Sequence, residues 1–320
     1  MARVVFVFLD GFGLAPAGPA NPLSLYDWPR LRRHLGAAPV LDRCAIGAGR
    51  LMQPLDARLG VPGLPQSATG QVALFTGVNA PALLGYHMAA YPGRVLTDVI
   101  DADNILKHVH DAGLGATFAN AYSQEYFAAV AAGKPRHSAT TLCVLAAGLR
   151  FRMEEDFMRG EAVYWDITGQ RLRERLGNPL IPLVSAAVAG ERLARIGASR
   201  HLTLFECFLP DLIGHRKSHE DAAQFVELLD EFVGSCADSI DGDTTLIICS
   251  DHGNIEDLST GAHTANPVPL IALGRQAEAF AAARSITDVA PAIYRVLGVA
   301  VSTRRGHRGA STGSSSAGCC

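Results

Sequence analysis

The chain has 320 residues, 48% hydrophobic and 18% charged, enough to bury a full core and too apolar for a disordered protein. Its 28 Lys and Arg against 31 Asp and Glu leave a formal charge of −3, which implies no polyelectrolyte partner and argues against nucleic acid as a primary ligand. Seven cysteines with no CxxC pair favour a reducing, cytoplasmic setting. Cys143, Cys207 and Cys249 lie in apolar runs and read as small buried side chains.

In chain order, "VVFVFL" (Val4–Leu9) is too short for a signal core or a membrane span and reads as a buried strand ending at Asp10. "LPQSATGQVALFTG" sets Ser67 in a Pro/Gly-bounded turn ahead of a helical run carrying Val72, Leu74 and Phe75. A helix is expected over Val95–His110 and a strand over Ala116–Ala119. From about Tyr122 to Asn178 the chain is richer in Arg and Glu and loses strand alternation, so 122–178 reads as an inserted cap. Helices then follow over Ala187–Ile196, Glu220–Cys236 and Ile286–Leu297, interleaved with strands over Leu202–Phe208, Thr245–Cys249 and Val268–Leu273. Phe225, Leu228, Leu229 and Phe232 repeat at helical spacing and mark a core face. Residues 302–320 are Gly/Ser-rich and basic, a disordered tail ending in an oxidisable Cys319–Cys320 pair. Such alternation predicts an α/β fold of three layers around a mostly parallel sheet, its core split into 1–121 and 179–301 by a small cap.

Four segments share one grammar, a buried strand and an acid or imidazole beside it. They place Asp10, Asp211 with His215, Asp251 with His252, and His263 at strand edges. In an open α/β sheet the carboxyl ends of the strands converge on one crevice. Three Asp and three His gathered there would repel and desolvate one another unless cations neutralise them. Asp211 and His215 are four apart, so one helical turn puts both on one side. Asp251 and His252 are adjacent and bind together only if the loop turns sharply or two metals lie side by side. Ser67 at a helix start is a favoured cap, yet the same amides form an anion site, and a metal-bound hydroxyl there would be a usable nucleophile. On residue chemistry alone Thr69 competes with it.

Together "DGFG…NP", "SATGQVALFTG", "DLIGH", "SDHGNIED" and "HTANPVPLI" resemble, in order and spacing, the motifs of the alkaline phosphatase superfamily of metalloenzymes. The similar branch is that of cofactor-independent phosphoglycerate mutase and phosphopentomutase, and the resemblance covers Arg3–His87 and Ala187–Leu297. It implies an alkaline-phosphatase-like core and two divalent ions, Mn or Zn. Asp10, Ser67, Asp251 and His252 would hold one; Asp211, His215 and His263 would hold the other. It also prefers Ser67 as nucleophile, ten residues before Gly77, with Thr69, Asn254, Thr264 and Asn266 orienting the ligands. This chain departs from that branch in its small insertion and in having "QSATGQ" where the mutases have "NSEVGH". "SATGQ" also lacks the Pro and Arg of the sulfatase motif.

The expected activity is two-metal phosphoryl transfer to and from Ser67 on a small phosphorylated substrate, ending in hydrolysis. Lys134, Arg136 and His137, with Arg150 and Arg152, are candidates to hold an anionic leaving group. The alternatives are a phosphomutase and a non-catalytic metal-binding sensor on the same fold. A dinucleotide enzyme is set aside because no GxGxxG follows the first strand.

Overall fold

The structure, a computed structural model, describes residues 1–134 and 136–300. The expected tail at 302–320, with Cys319 and Cys320, lies outside the described residues. In chain order the strands are β1 (Arg3–Leu9), β2 (Ala45–Gly47), β3 (Arg50–Leu55), β4 (Ala116–Phe118), β5 (Ala121–Tyr122), β6 (Arg152–Met153), β7 (Leu202–Cys207), β8 (Thr244–Cys249) and β9 (Val268–Leu273). Seven of them form one sheet in the order β2-β3-β9-β8-β1-β7-β4, while β5 and β6 pair separately.

Four contiguous strands, β8-β1-β7-β4, run parallel, as the strand–helix alternation predicts. Beyond β8 the pairings with β9, β3 and β2 are antiparallel, so the sheet as a whole is mixed. The reversal at β9 matters for the site. It brings the start of β9 to the same sheet edge as the end of β8, so one loop, residues 250–267, stays at that edge throughout.

Side chains of β1 alternate between two cores. Val4, Phe6 and Phe8 face one cluster; Val5, Val7 and Leu9 face the other. The first cluster is covered by helices Ser67–Thr76, Arg94–Ala102, Ile105–Asp111, Ala139–Ala146 and Val289–Leu297. The second lies under Pro29–Leu35, Ala186–Ala198 and His219–Ser239. With both faces covered, every β1 residue from Val4 to Leu9 is buried, and each such side chain contributes about 1.5–3 kcal/mol. Among the described residues no helix is long and apolar enough to cross a membrane.

The helix expected over 95–110 is two helices. Asn104 accepts from the Leu106 and Lys107 amides and donates to the Ile100 carbonyl, so it caps the second while closing the first. Within 122–178, Phe157, Ala162, Tyr164 and Leu172 form a small cluster of their own with Ala121 and Ile181. Helix Ala139–Ala146, in the same range, instead puts Ala139, Cys143 and Val144 into the main core.

Candidate metal centre

Phe8 of β1 stands in register with Glu206 of β7 and Cys249 of β8, so the three strands end side by side. Asp10 follows β1, Asp211 lies just beyond β7, and Asp251 with His252 follows β8. The Asp211 amide donates to the Asp10 carbonyl at 3.1 Å and the Ile255 amide to the Gly11 carbonyl at 3.0 Å, which ties the three loops together. Two glycines permit the close packing. At Gly11 (φ +72°) a Cβ would meet Asp211 at 2.8 Å, and at Gly70 it would meet the Asp251 carbonyl oxygen at 2.7 Å.

The expected residues gather around His252. Its Nε2 lies 3.0 Å from Ser67 Oγ, 3.2 Å from Asp10 Oδ1 and 3.6 Å from Asp251 Oδ2. Its ring stacks on His263 at 3.8 Å between centroids. His263 Nε2 is 3.4 Å from Asp211 Oδ1, and His215 Nε2 is 3.3 Å from Asp211 Oδ2. All three imidazoles are held from behind. The Nδ1 atoms lie 2.9 Å from Pro65 O (His263), 3.0 Å from Gly261 O (His215) and 3.3 Å from Gly253 O (His252). In the neutral ring that binds a metal, a proton on each Nδ1 donates to that carbonyl and leaves Nε2 as the lone pair facing the site.

The electrostatics show a cluster built for more positive charge than the side chains carry. Burial pushes the Asp251 carboxyl up, the nearby Asp10 pushes further, and His252 opposes without prevailing. Burial lowers the His252 pKa, but Asp251, Asp10 and Asp211 outweigh it and hold the imidazole well above its ordinary value. For Asp211 burial is outweighed by the hydrogen bond with His263, the His252 charge and the Asn254 amide, and its pKa falls.

These residues fit divalent cations. Asp10 Oδ1 and Asp251 Oδ2 are buried with no hydrogen-bond donor, an arrangement a cation would satisfy. Two sets of donor atoms lie within 4.8 Å of one another: Asp10, Asp251 and His252, and Asp211, His252 and His263. Oxygen and nitrogen donors without thiolate suit Mn or Zn. His252 stands in both sets. His215 stands in neither, its side chain 45% exposed at the rim.

The other expected residues divide. Asn254 donates to Asp211 Oδ1 at 2.7 Å and fixes that carboxylate. Thr264 and Asn266 touch Glu256 instead, both donating to its Oε1. Thr69 is fully buried, its hydroxyl donating to Gln66 O and accepting from the Met88 amide, so it ties the start of this helix to the segment at Met88. Arg136 lines the cavity beside the cluster; Lys134 is exposed and does not line it. His137 Nδ1 lies 3.0 Å from the Tyr126 hydroxyl, with burial holding its pKa down. Arg150 and Arg152 are corrected: Arg150 binds Asp156, and Arg152 binds Glu161 O and Thr117. Both guanidinium groups are taken up by partners within the protein, and neither lines the cavity.

Two acids escaped the sequence reading. Glu256 is buried and takes four donors, from the Gly13 and Asn254 amides and from the Thr264 and Asn266 side chains, joining the loop after β1 to the loop 250–267. Glu206, the fifth residue of "LTLFECF", stands inside a strand run where acids are not looked for. It accepts from Thr140 Oγ1 at 2.8 Å, and burial, assisted by Asp10 and Asp251, pushes its pKa far up.

Residues 193–301 match the family described as Metalloenzyme superfamily. The 2,3-bisphosphoglycerate-independent phosphoglycerate mutase of Clostridium perfringens (strain SM101 / Type A) is 34% identical over 134 residues, 38% of this chain and 26% of that protein. The mutase of the same name from Aliivibrio fischeri (strain ATCC 700601 / ES114) is 35% identical over 132 residues, again 38% and 26%. The match thus spans about a quarter of those relatives. Alkaline phosphatase from the Antarctic bacterium TAB5 shares the fold, with a TM-score of 0.52 at 14% identity over 93% of this chain and 98% of that one. The resemblance of the motifs to the alkaline phosphatase superfamily of metalloenzymes is therefore matched by family, sequence and fold.

Proposed function

We propose that this chain is a metal-dependent phosphoryl-transfer enzyme that hydrolyses a small phosphoester through a phosphoserine at Ser67. The observation that carries it is the Ser67 hydroxyl, 3.0 Å from His252 Nε2 at the centre of two overlapping sets of acid and imidazole donors. The likeness to proteins named phosphoglycerate mutase and alkaline phosphatase supports the same chemistry.

Asp10, Ser67, Asp251 and His252 would hold one divalent ion, and Asp211, His263 and the rim residue His215 the second. Bound there, the ions supply Lewis-acid charge that eases loss of the serine proton and offsets charge on the phosphoryl oxygens. Ser67 Oγ attacks phosphorus, the ester oxygen departs with its electron pair, and the phosphoryl group rests on the serine. Water then attacks phosphorus and returns Ser67 as the free hydroxyl. Helix Ser67–Thr76 points its N-terminus at this position, which favours the anionic group. Gln71, one turn on, donates to Asp10 Oδ2 at 3.3 Å and steadies that carboxylate.

Hydrolysis is favoured over a mutase because, among the described residues, the cavity wall carries only two guanidinium groups, Arg136 and Arg175, to retain a charged intermediate for return transfer. The test is turnover of phosphomonoesters and phosphodiesters with Mn²⁺ or Zn²⁺, wild type beside Ser67→Ala, with a chelator control. Loss of about 10³-fold or more in the variant is expected. Equal rates in the two proteins would refute the serine mechanism.

A further inference from the structure

The cavity above the cluster has a volume of about 420 Å³, and its floor includes Asp10, Ser67 and Asp211. Its walls are unlike those of a site for a small sugar or acid phosphate. Tyr91, Tyr122, Tyr126, Tyr164, Trp165 and Phe208 all line it. Tyr122 packs 5.0 Å from Tyr126, and Trp165 lies between Tyr164 at 5.7 Å and Phe208 at 5.8 Å. These rings are fixed by their neighbours: the Tyr122 hydroxyl bonds Thr141 Oγ1 at 2.7 Å, and Tyr126 bonds His137. On another wall Arg136 lies over the Tyr91 ring at 5.4 Å. A small polar leaving group would leave these aromatic faces against water, whereas a planar ring would cover them.

Resting on the proposed phosphoester chemistry, we infer that the leaving group carries a planar aromatic or heteroaromatic ring, bound in this cavity while the phosphoryl group sits at Ser67. The ring comes either from a nucleotide base or from a simple aryl group.

Two ester pairs test this with matched leaving oxygens: adenosine 5′-monophosphate against ribose 5-phosphate, and 2-phenylethyl phosphate against ethyl phosphate. Stacking of one ring predicts a preference of about 10- to 100-fold in kcat/KM for the ring-bearing member. The preference should shrink toward unity in Trp165→Ala and, from the separate wall, in Tyr91→Ala. Preference in the first pair alone identifies a base; preference in both identifies a general aryl site. Ratios near one in wild type, or ratios unchanged in both variants, would overturn the inference. Binding to chelator-treated protein, read by tryptophan fluorescence with Trp165→Ala to subtract the Trp28 signal, separates this from failure of the phosphoester reading. With no ester turned over, selective binding of the ring-bearing esters sustains the aromatic site and rejects the catalytic one. Equal or absent binding rejects the aromatic site.

Discussion

Loading the centre with metal should raise thermal stability and reverse its dependence on pH. An ion held 1,000-fold above its dissociation constant adds about 4.1 kcal/mol per site. At about 2 °C per kcal/mol for a protein of this size, one site raises Tm by about 8 °C and two by about 16 °C. The division of the ligands between two ions makes the prediction specific. Asp251→Asn, His252→Ala and His263→Ala should each remove about half of the metal-dependent gain, and Asp251→Asn combined with His263→Ala nearly all of it. The pH slope follows from the carboxyl and imidazole directions. Asp251 and His252 both have pKa values raised by folding, so the metal-free protein binds more protons folded than unfolded. Its stability must fall as pH rises, from the ordinary carboxylate range through the ordinary imidazole range and beyond. Metal competes with those protons, so the gain on adding Mn²⁺ should grow over the same window. Differential scanning calorimetry from pH 5 to 8, with chelator or saturating Mn²⁺, measures both slopes. Identical melting with and without metal, or a full gain in His252→Ala, would rule out metal binding by these residues.

Glu206→Gln keeps an acceptor for Thr140 and removes an acid that folding holds protonated, so the metal-free protein should melt higher at pH 7 to 8 and unchanged at pH 4. Gly70→Ala puts a methyl 2.7 Å from the Asp251 carbonyl oxygen, and the displaced loop should weaken metal affinity at least about 10-fold in a titration while the fold persists. Glu256→Ala strands four donors in the loops around the site, and urea unfolding should show a loss of about 3 kcal/mol or more.

What the sequence made legible follows from burial. Runs such as "VVFVFL" and "TLIIC" are buried on both faces, so length and apolarity alone reveal β1 and β8. β3 was missed because "RLMQPL" carries Gln53 and Pro54 and gains its strand character from pairing with β9. The acids and imidazoles at strand ends were readable because parallel strands bring their ends together. Glu206 was hidden within a strand, and Glu256 is tied across the site by a partner in distant backbone, the Gly13 amide, that no sequence spacing shows. Arg150 and Arg152 misled because charge in a sequence does not show whether a nearby acid already claims it. The aromatic cavity was illegible for a related reason: its rings come from segments as far apart as Tyr91 and Phe208.

The place of β1 in the sheet bears on how the protein emerges from the ribosome. Val4 pairs with Leu202, and Arg3 with Thr244. At about 5–20 residues per second, roughly 12–50 s separate synthesis of β1 from that of its second neighbour. Until β7 is made both edges of "VVFVFL" are open, and one stays open until β8 follows, with no charge within the run to discourage pairing with another chain. A strand enclosed between two neighbours in the finished protein is one that needs shelter while the chain is being made.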